Sequence, residues 1–404
     1  MTSFPSSAAN NRVLIVAEYG VMNGGERSLL SVLPHLQERG WEFVAVVPVE
    51  SEFEKALREI GVATREFKKE DSAAQRFSQK QLREQLREIF LAVQPTIVHA
   101  NSLAASRLCG PLTRELGIRS VGYLRDIVKL SRQAIKDINR IDRLVAVSQA
   151  TLDWHVAQGL DPLRVQVIYN GVDLDVFSPL SVSRLQMSYS QDEKHSRFNI
   201  RNELGIPLNC PLTLFVGQIG MRKGVDLLVD AFLKVAERRG DVHLIVVGER
   251  NSTKQEAIDF ENRIRAQVRS PQCPASVSSR IHWLGRRDDV PELMKQSTLL
   301  IHPARQEPFG RVLLEAAASG LPIITTNVGG SPEMLKFLDF HRIVQPIDEA
   351  AISNRALELL GNREECSELS GNLRTLAESC YSDKSTADRL ERVYRELTGQ
   401  VENS

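Results

Sequence analysis

Two glutamates eight positions apart, Glu307 and Glu315, frame the stretch EPFGRVLLEAAASG. An apolar run, TLLIHPA, ends just before it, and an amphipathic pattern closed by Ser319, Gly320 and Pro322 follows. Pro308 disfavours helical geometry at Glu307, and Gly310 relaxes the turn, so a helix is predicted to begin near Arg311. The unpaired N–H groups of its first turn and its dipole make an anion site. One carboxylate then lies in the loop and the other about one turn inside the helix, flanking that anion, where both suit sugar hydroxyls. A second chemistry-bearing stretch is LTLFVGQIGMRKG. It reads as a buried strand, then a loop with Gln218, Arg222, Lys223 and Gly224, then a helix. Two cations just before a helix start fit a diphosphate far better than a neutral ligand.

The elements that must position these residues alternate along the chain. Short apolar runs suited to buried parallel strands, RVLIVA, WEFVAVVP, TIVHANS, RSVGYLRDI and RLVAVSQA, are separated by helical patterns in the first half. The region Glu52–Leu91 is predicted to be mostly helical, with Leu82, Leu86, Ile89, Phe90 and Val93 on one face. In the second half, LTLFVG, VHLIVVGE, RIHWLG, TLLIHPA and LPIITT play the same part. Ligands of open α/β sheets bind beyond the carboxyl ends of strands. That rule marks His99, Asn101 and Ser102 after one strand and Tyr123, Arg125 and Asp126 after another. Ser148 is placed to cap the next helix. For His99 an acceptor role and a hydrogen-bonded core imidazole stand level. Arg125 is expected to contact an anionic acceptor or to pair with Asp126.

Composition narrows the function classes. The 404 residues suggest two or three domains, and 51 Lys and Arg balance 51 Asp and Glu, so no global field draws the chain to nucleic acid. Cys109, Cys210, Cys273, Cys366 and Cys380 lack the spacing of a disulfide framework or a zinc site. Asp173 and Asp175 spell DxD, but before Pro179 they read as a turn, and no metal is expected. The polar start MTSFPSSAANNR lacks the apolar core of a signal peptide, and no run approaches the roughly 18 apolar residues of a span. A cytoplasmic location is expected, with peripheral contact at the inner face of the membrane as an option. GxGxxG is absent, which disfavours an NAD-dependent enzyme.

EPFGRVLLEAAASG resembles the signature of retaining glycosyltransferases of the GT-B fold, family 4, and the likeness runs from about Val13 to Leu397. It implies α/β architecture with two Rossmann-like domains facing across a cleft and a C-terminal helix crossing back to the first. The boundaries drawn are 1–178 for an acceptor domain, 179–204 for a linker or insertion, 205–380 for a nucleotide-sugar domain and 381–404 for the returning helix. The resemblance implies that Glu307 touches hydroxyls of the donor sugar and Glu315 the ribose. Backbone around Phe309, Gly310, Arg311 and Val312 meets sugar and diphosphate, and Arg286 and Val290 flank the base. Gly24, Gly25, Gly217 and Gln218 complete the donor side. Glu26, His99, Asn101, Arg125 and Asp126 form the acceptor side. Two positions depart from the pattern. Gln218 stands where relatives usually carry arginine, so Arg222 is expected to supply the missing charge beside Lys223. Arg125 stands where many carry histidine, so that histidine's role is not carried over. The implied reaction moves a sugar from a nucleoside diphosphate sugar to a carbohydrate, lipid-linked or small-molecule hydroxyl, with Glu307, Lys223 and Arg222 as the catalytic group and no cofactor. An epimerase on the same scaffold and a binding protein without turnover are the alternatives. A glycosidase pair is disfavoured, because eight helical steps span about 12 Å, beyond the roughly 5–9.5 Å such carboxylates need.

Overall fold

The computed structural model describes residues 11–179, 199–336, 343–344 and 348–400. The polar N-terminal tail and most of the expected linker, residues 180–198, lie outside them. The chain forms two compact units, residues 1–171 with 383–404, and residues 172–382. The divisions fall at Gly171/Val172 and Ser382/Asp383, where the sequence reading drew them at 178/179 and 380/381. The last part of the expected linker is a helix of the second unit, Ile200–Leu204, whose N-terminus Asn199 caps by accepting from Arg201 N at 2.9 Å.

The first unit holds strands β1 (Arg12–Val16), β2 (Glu42–Val47), β3 (Ala63–Glu66), β4 (Ile97–Ala100), β5 (Arg119–Leu124), β6 (Arg143–Ala146) and β7 (Val165–Val167). They lie in the order β3-β2-β1-β4-β5-β6-β7, every pair parallel. Val13, Leu14, Ile15 and Val16 are wholly buried, because helices cover both faces of the sheet and leave no alternation of apolar and polar residues. Glu52–Leu91, expected to be mostly helix, contains β3 between the helices Glu52–Glu59 and Gln79–Val93. This edge strand, ATRE, is mostly exposed and carries no apolar period.

The second unit holds β8 (Leu212–Val216), β9 (His243–Val247), β10 (Ile281–Gly285), β11 (Leu299–His302), β12 (Ile323–Thr326) and β13 (Ile343–Val344). Their order, β10-β9-β8-β11-β12-β13, repeats that of the first unit. In each sheet the first and fourth strands of the unit are neighbours and the connections leave them in opposite directions. β1 beside β4 and β8 beside β11 are therefore the two switch points at which such sheets open a ligand crevice.

The C-terminal helix, Asp383–Thr398, belongs to the first unit and packs on the helix Gly24–Gln37. Ala387, Leu390 and Tyr394 recur at helical spacing and are buried. Glu391 on the same face accepts from Arg39 at 2.7 Å and from Trp41 Nε1 at 3.4 Å. Among the described residues no helix is long and apolar enough to cross a membrane.

Candidate active site

In the second unit the chemistry gathers beyond β8 and β11. The turn Met221–Lys223 ends at Gly224, whose φ of 68° lies in the left-handed region. A Cβ there would come within 1.9 Å of the Pro303 carbonyl oxygen, so the turn passes against the end of β11 only because this residue is glycine. The contact brings Lys223 to Glu307. Lys223 Nζ donates to Glu307 Oε2, and His302 Nε2, the last residue of β11, donates to the same oxygen at 2.7 Å. The loop after β12 fastens Glu307 from behind, with Gly330 N donating to its carbonyl at 2.9 Å.

Glu307 is 5% exposed. Burial alone raises the pKa of its carboxyl, but the Lys223 ammonium and the His302 hydrogen bond outweigh it and hold the group well below the usual carboxylate range. His302 has no exposed surface, and burial is the largest influence holding its own pKa down. A neutral imidazole that donates from Nε2 leaves Nδ1 as a bare acceptor, and Nδ1 has no partner among the described residues. Glu307 Oε1 likewise accepts nothing from the described residues. The site thus holds an ionised carboxylate with one oxygen doubly occupied and the other open.

Arg222 is exposed and its guanidinium makes no hydrogen bond to the described residues. Gln218, half-buried, also leaves its side chain unpaired among them, while Gly217 N donates to Val247 O at 2.9 Å. The helix after the loop spans Arg311–Ala318 and has Gly310 as its N-cap, as the sequence predicts. Glu315 is 9% exposed and accepts from Arg311 Nε at 2.8 Å. Val312 is half-buried in the first turn. Phe309 is buried with its ring against Tyr381, centroids 5.9 Å apart, so only its backbone is available to a ligand. Val290 opens the helix Val290–Gln296, and Arg286 N donates to Glu249 Oε1 at 3.3 Å.

The expected acceptor residues lie in the first unit. Asn101 O and Oδ1 accept from Arg125 Nε and Nη2 at 3.1 and 2.9 Å, Asn170 Oδ1 accepts from Arg125 Nη1 at 3.1 Å, and the guanidinium stacks on Tyr123. Arg125 thus sits in a network with Asn101, Asn170 and Tyr123. Gly25 makes room for it, since a Cβ there would lie 2.9 Å from Arg125 Cδ. Gly24 begins the helix Gly24–Gln37, and Glu26 Oε2 accepts from Asn23 N at 3.1 Å as a capping residue. Asp126 is exposed, and its carbonyl accepts from His155 Nε2 at 2.8 Å. Of the two roles that stood level for His99, the structure gives the core one and not the acceptor one: it has no exposed surface, is bonded through Nδ1 to Tyr394 OH at 2.5 Å and is stacked on Tyr123. It lies inside β4, whereas Asn101 and Ser102 follow the strand's last residue.

Two buried groups escaped the sequence reading. His302 has a visible signal, a histidine closing an apolar run five residues before Glu307. Glu18 follows RVLIVA directly. It is 5% exposed, accepts from Ser102 Oγ at 2.7 and 2.8 Å, and has its pKa raised chiefly by burial. Asp173 and Asp175 form a turn, in which Asp173 Oδ1 accepts from Asp175 N at 2.9 Å and Val176 N at 3.0 Å. Among the described residues no three His, Cys, Asp or Glu side chains are grouped to hold a metal ion.

Two family models match the chain, Glycosyltransferase Family 4 over residues 22–176 and Glycosyl transferases group 1 over residues 196–375. The chain belongs to glycosyltransferase family 4. Among family 4 relatives, the lipopolysaccharide glucosyltransferase WaaG of Escherichia coli K12 is 35% identical over 42% of this chain and 39% of its own length. The α-maltose-1-phosphate synthase of Mycolicibacterium smegmatis is 30% identical over 49% of this chain and 47% of its own. The chain therefore spans about half the length of the curated relatives it matches. The crystal structure of Anabaena Alr3699/HepE in complex with UDP and glucose is 20% identical, with a TM-score of 0.78 over 94% of this chain and 98% of that one. Both units of this family 4 chain are Rossmann-like parallel-sheet domains, and the fold is GT-B.

Proposed function

We propose that this family 4 chain moves a glycosyl unit from a nucleoside diphosphate sugar, held by the second unit, to a hydroxyl group of an acceptor bound by the first, with retention of anomeric configuration. The observation that carries this reading is the meeting of Lys223, His302 and Glu307 on one buried carboxylate oxygen at the β8–β11 switch point. Glu307, kept ionised, offers Oε1 to a hydroxyl of the donor sugar. The diphosphate takes Lys223 and the open guanidinium of Arg222, with the first amides of the helix Arg311–Ala318 beyond them. Arg222 supplies the charge that Gln218 lacks. Glu315 and Arg311 bind the ribose end.

Transfer follows from where charge develops. The bond from the anomeric carbon to the diphosphate oxygen breaks, the acceptor oxygen bonds to that carbon on the same face, and the acceptor proton passes to the departing diphosphate. Lys223 and Arg222 stabilise the charge on that leaving group, and positioned cations of this kind contribute about 10²–10³ in rate. The reading uses no metal and no covalent enzyme intermediate. The acceptor class comprises carbohydrates, lipid-linked glycans and small hydroxyl compounds, as in assembly of cell-surface polysaccharides or glycoconjugates.

The test is a thermal-shift panel of nucleoside diphosphates and their sugars, because a ligand bound only by the folded state raises stability, by about 2.7 kcal/mol at a hundred times its Kd. UDP and UDP-glucose come first. One base is expected to stand out, and Lys223→Ala is then expected to lower turnover by about 10² or more. No stabilisation by any nucleotide sugar removes the reading, and conversion of donor alone into a second nucleotide sugar replaces transfer with epimerisation.

A further inference from the structure

We infer that Arg305 is a positioning residue for the reaction proposed above, holding the Arg222–Lys223 turn in register with Glu307. Arg305 stands two residues before Glu307, and Asp226 three after Lys223, so each lies beside one of the two chemistry-bearing loops. Arg305 Nη1 and Nη2 donate to Asp226 Oδ1 and Oδ2 at 2.7 and 2.8 Å, a two-pronged pair. Nη1 also donates to the Met221 carbonyl at 3.0 Å, and Arg305 N donates to the Arg222 carbonyl at 2.9 Å. One residue thus grips the turn at its first residue, at its middle and at the start of the helix behind it.

The consequence is catalytic because of what the turn carries. The side chains of Arg222 and Lys223 are not rigid in themselves: Lys223 reaches Glu307 through a flexible four-carbon chain, and Arg222 is exposed, while Gly224 against Pro303 and Gln306 N on the Arg222 carbonyl at 3.4 Å share with Arg305 the holding of their backbone. Their placement is set by the backbone of Met221–Gly224, and Arg305 fixes that backbone to the loop of the carboxylate. Release of the turn lets both cations drift from the bridging oxygen, where charge builds only as the bond breaks. A misplacement of about 1 Å costs on the order of 10² in rate, whereas the diphosphate in the ground state is still met by long cationic side chains. The loss therefore falls on kcat, with the donor KM little changed. Lysine cannot reproduce the grip, since a single ammonium lacks the planar fork that spans both oxygens of Asp226.

The experiment measures kcat and donor KM for the full chain with UDP-glucose, or with the nucleotide sugar that the thermal-shift panel selects, in Arg305→Ala, Arg305→Lys, Asp226→Asn and the Arg305→Ala/Asp226→Asn pair, each confirmed as folded by circular dichroism. Expected are a kcat lowered 30–100-fold in Arg305→Ala, an intermediate loss in Arg305→Lys, donor KM within about threefold, and a double variant no worse than the poorer single one, the mark of two residues acting as a unit. A folded Arg305→Ala or Asp226→Asn with wild-type kcat overturns the inference, as does a loss confined to KM. If Arg305→Ala does not fold, Arg305→Lys and Asp226→Asn decide by the same split. A wild-type protein that binds no nucleotide sugar refutes the transferase reading itself, a result distinct from an active wild type with an equally active Arg305→Ala.

Discussion

Replacing Glu307 by glutamine is expected to tighten the binding of a nucleoside diphosphate while abolishing transfer. The Lys223 ammonium, 14% exposed, is paired with Glu307 Oε2, so a diphosphate must take it from an existing partner. A charge-assisted hydrogen bond is worth about 1.5–3 kcal/mol. Glutamine keeps the acceptor for His302 but carries no charge, which leaves the ammonium without its counterion until phosphate arrives. At about 1.4 kcal/mol per tenfold, UDP is expected to bind Glu307→Gln roughly 10- to 100-fold more tightly than the wild type. UDP-glucose gains less, because the same substitution weakens the acceptor offered to the sugar hydroxyl. Without nucleotide, Glu307→Gln is expected to be less stable than the wild type, since breaking a buried pair by removing one partner costs about 3–5 kcal/mol. Isothermal titration at fixed ionic strength, with UDP or the nucleoside diphosphate that the panel selects, measures both affinities. Unchanged or weaker nucleotide binding in folded Glu307→Gln would refute the competition between carboxylate and diphosphate for Lys223. The pH dependence has a definite sign. The folded pKa of Glu307 lies below its ordinary 4.5, so the pair's stability is complete above that value and is lost as pH falls through the lower folded one. The stability gap between wild type and Glu307→Gln is therefore flat near neutrality and closes only below pH 4.5.

His99 gives a second pH effect, in the first unit. Burial first and the Arg125 charge second lower its pKa from 6.5 to about 3. The unfolded chain takes up the proton first, so stability declines as pH falls below 6.5 toward 3; thermal melts of His99→Phe are expected to lose this component of the decline. Gly224→Ala places a methyl group 1.9 Å from the Pro303 carbonyl at a φ of 68°. Strain of that kind costs about 1–3 kcal/mol before the clash is counted, so urea melts are expected to show a loss at or above that range, with activity falling as the turn is displaced. Tyr394→Phe removes the hydroxyl bonded to His99 and is expected to cost about 1 kcal/mol, read by the same melts, without changing nucleotide affinity.

The parts of the site legible in the sequence are those written by short-range spacing. Pro308, Gly310 and the eight-residue interval from Glu307 to Glu315 specify loop, cap and helix, and the helix begins at Arg311 as expected. The buried strands are legible because a parallel sheet covered on both faces demands unbroken apolar runs. β3 was not, because an exposed edge strand needs no such run, and ATRE offers neither alternation nor hydrophobicity. His99 shows the limit of the strand-end rule. The rule says which end of the sheet meets a ligand but not which residue is the last inside it, and only Ala100, the last residue of β4, separates the core imidazole of His99 from Asn101.

What no local pattern conveys is that the charges of Lys223 and Glu307 neutralise each other. Lys223 and Glu307 stand 84 positions apart, in loops read separately as a phosphate cradle and a sugar clamp. Their meeting depends on β8 and β11 being neighbours, on Gly224 passing under Pro303, and on Arg305 reaching Asp226. Once they meet, each loop has a different ground state from the one its residues suggest. The cation is already paired and the carboxylate is already ionised. On the reading proposed above, donor binding is then an exchange of partners, with sugar hydroxyl and diphosphate replacing a protein–protein ion pair. On the same reading the exchange favours departure of the product, since a diphosphate that has lost its sugar no longer occupies Glu307 and must compete with it for Lys223.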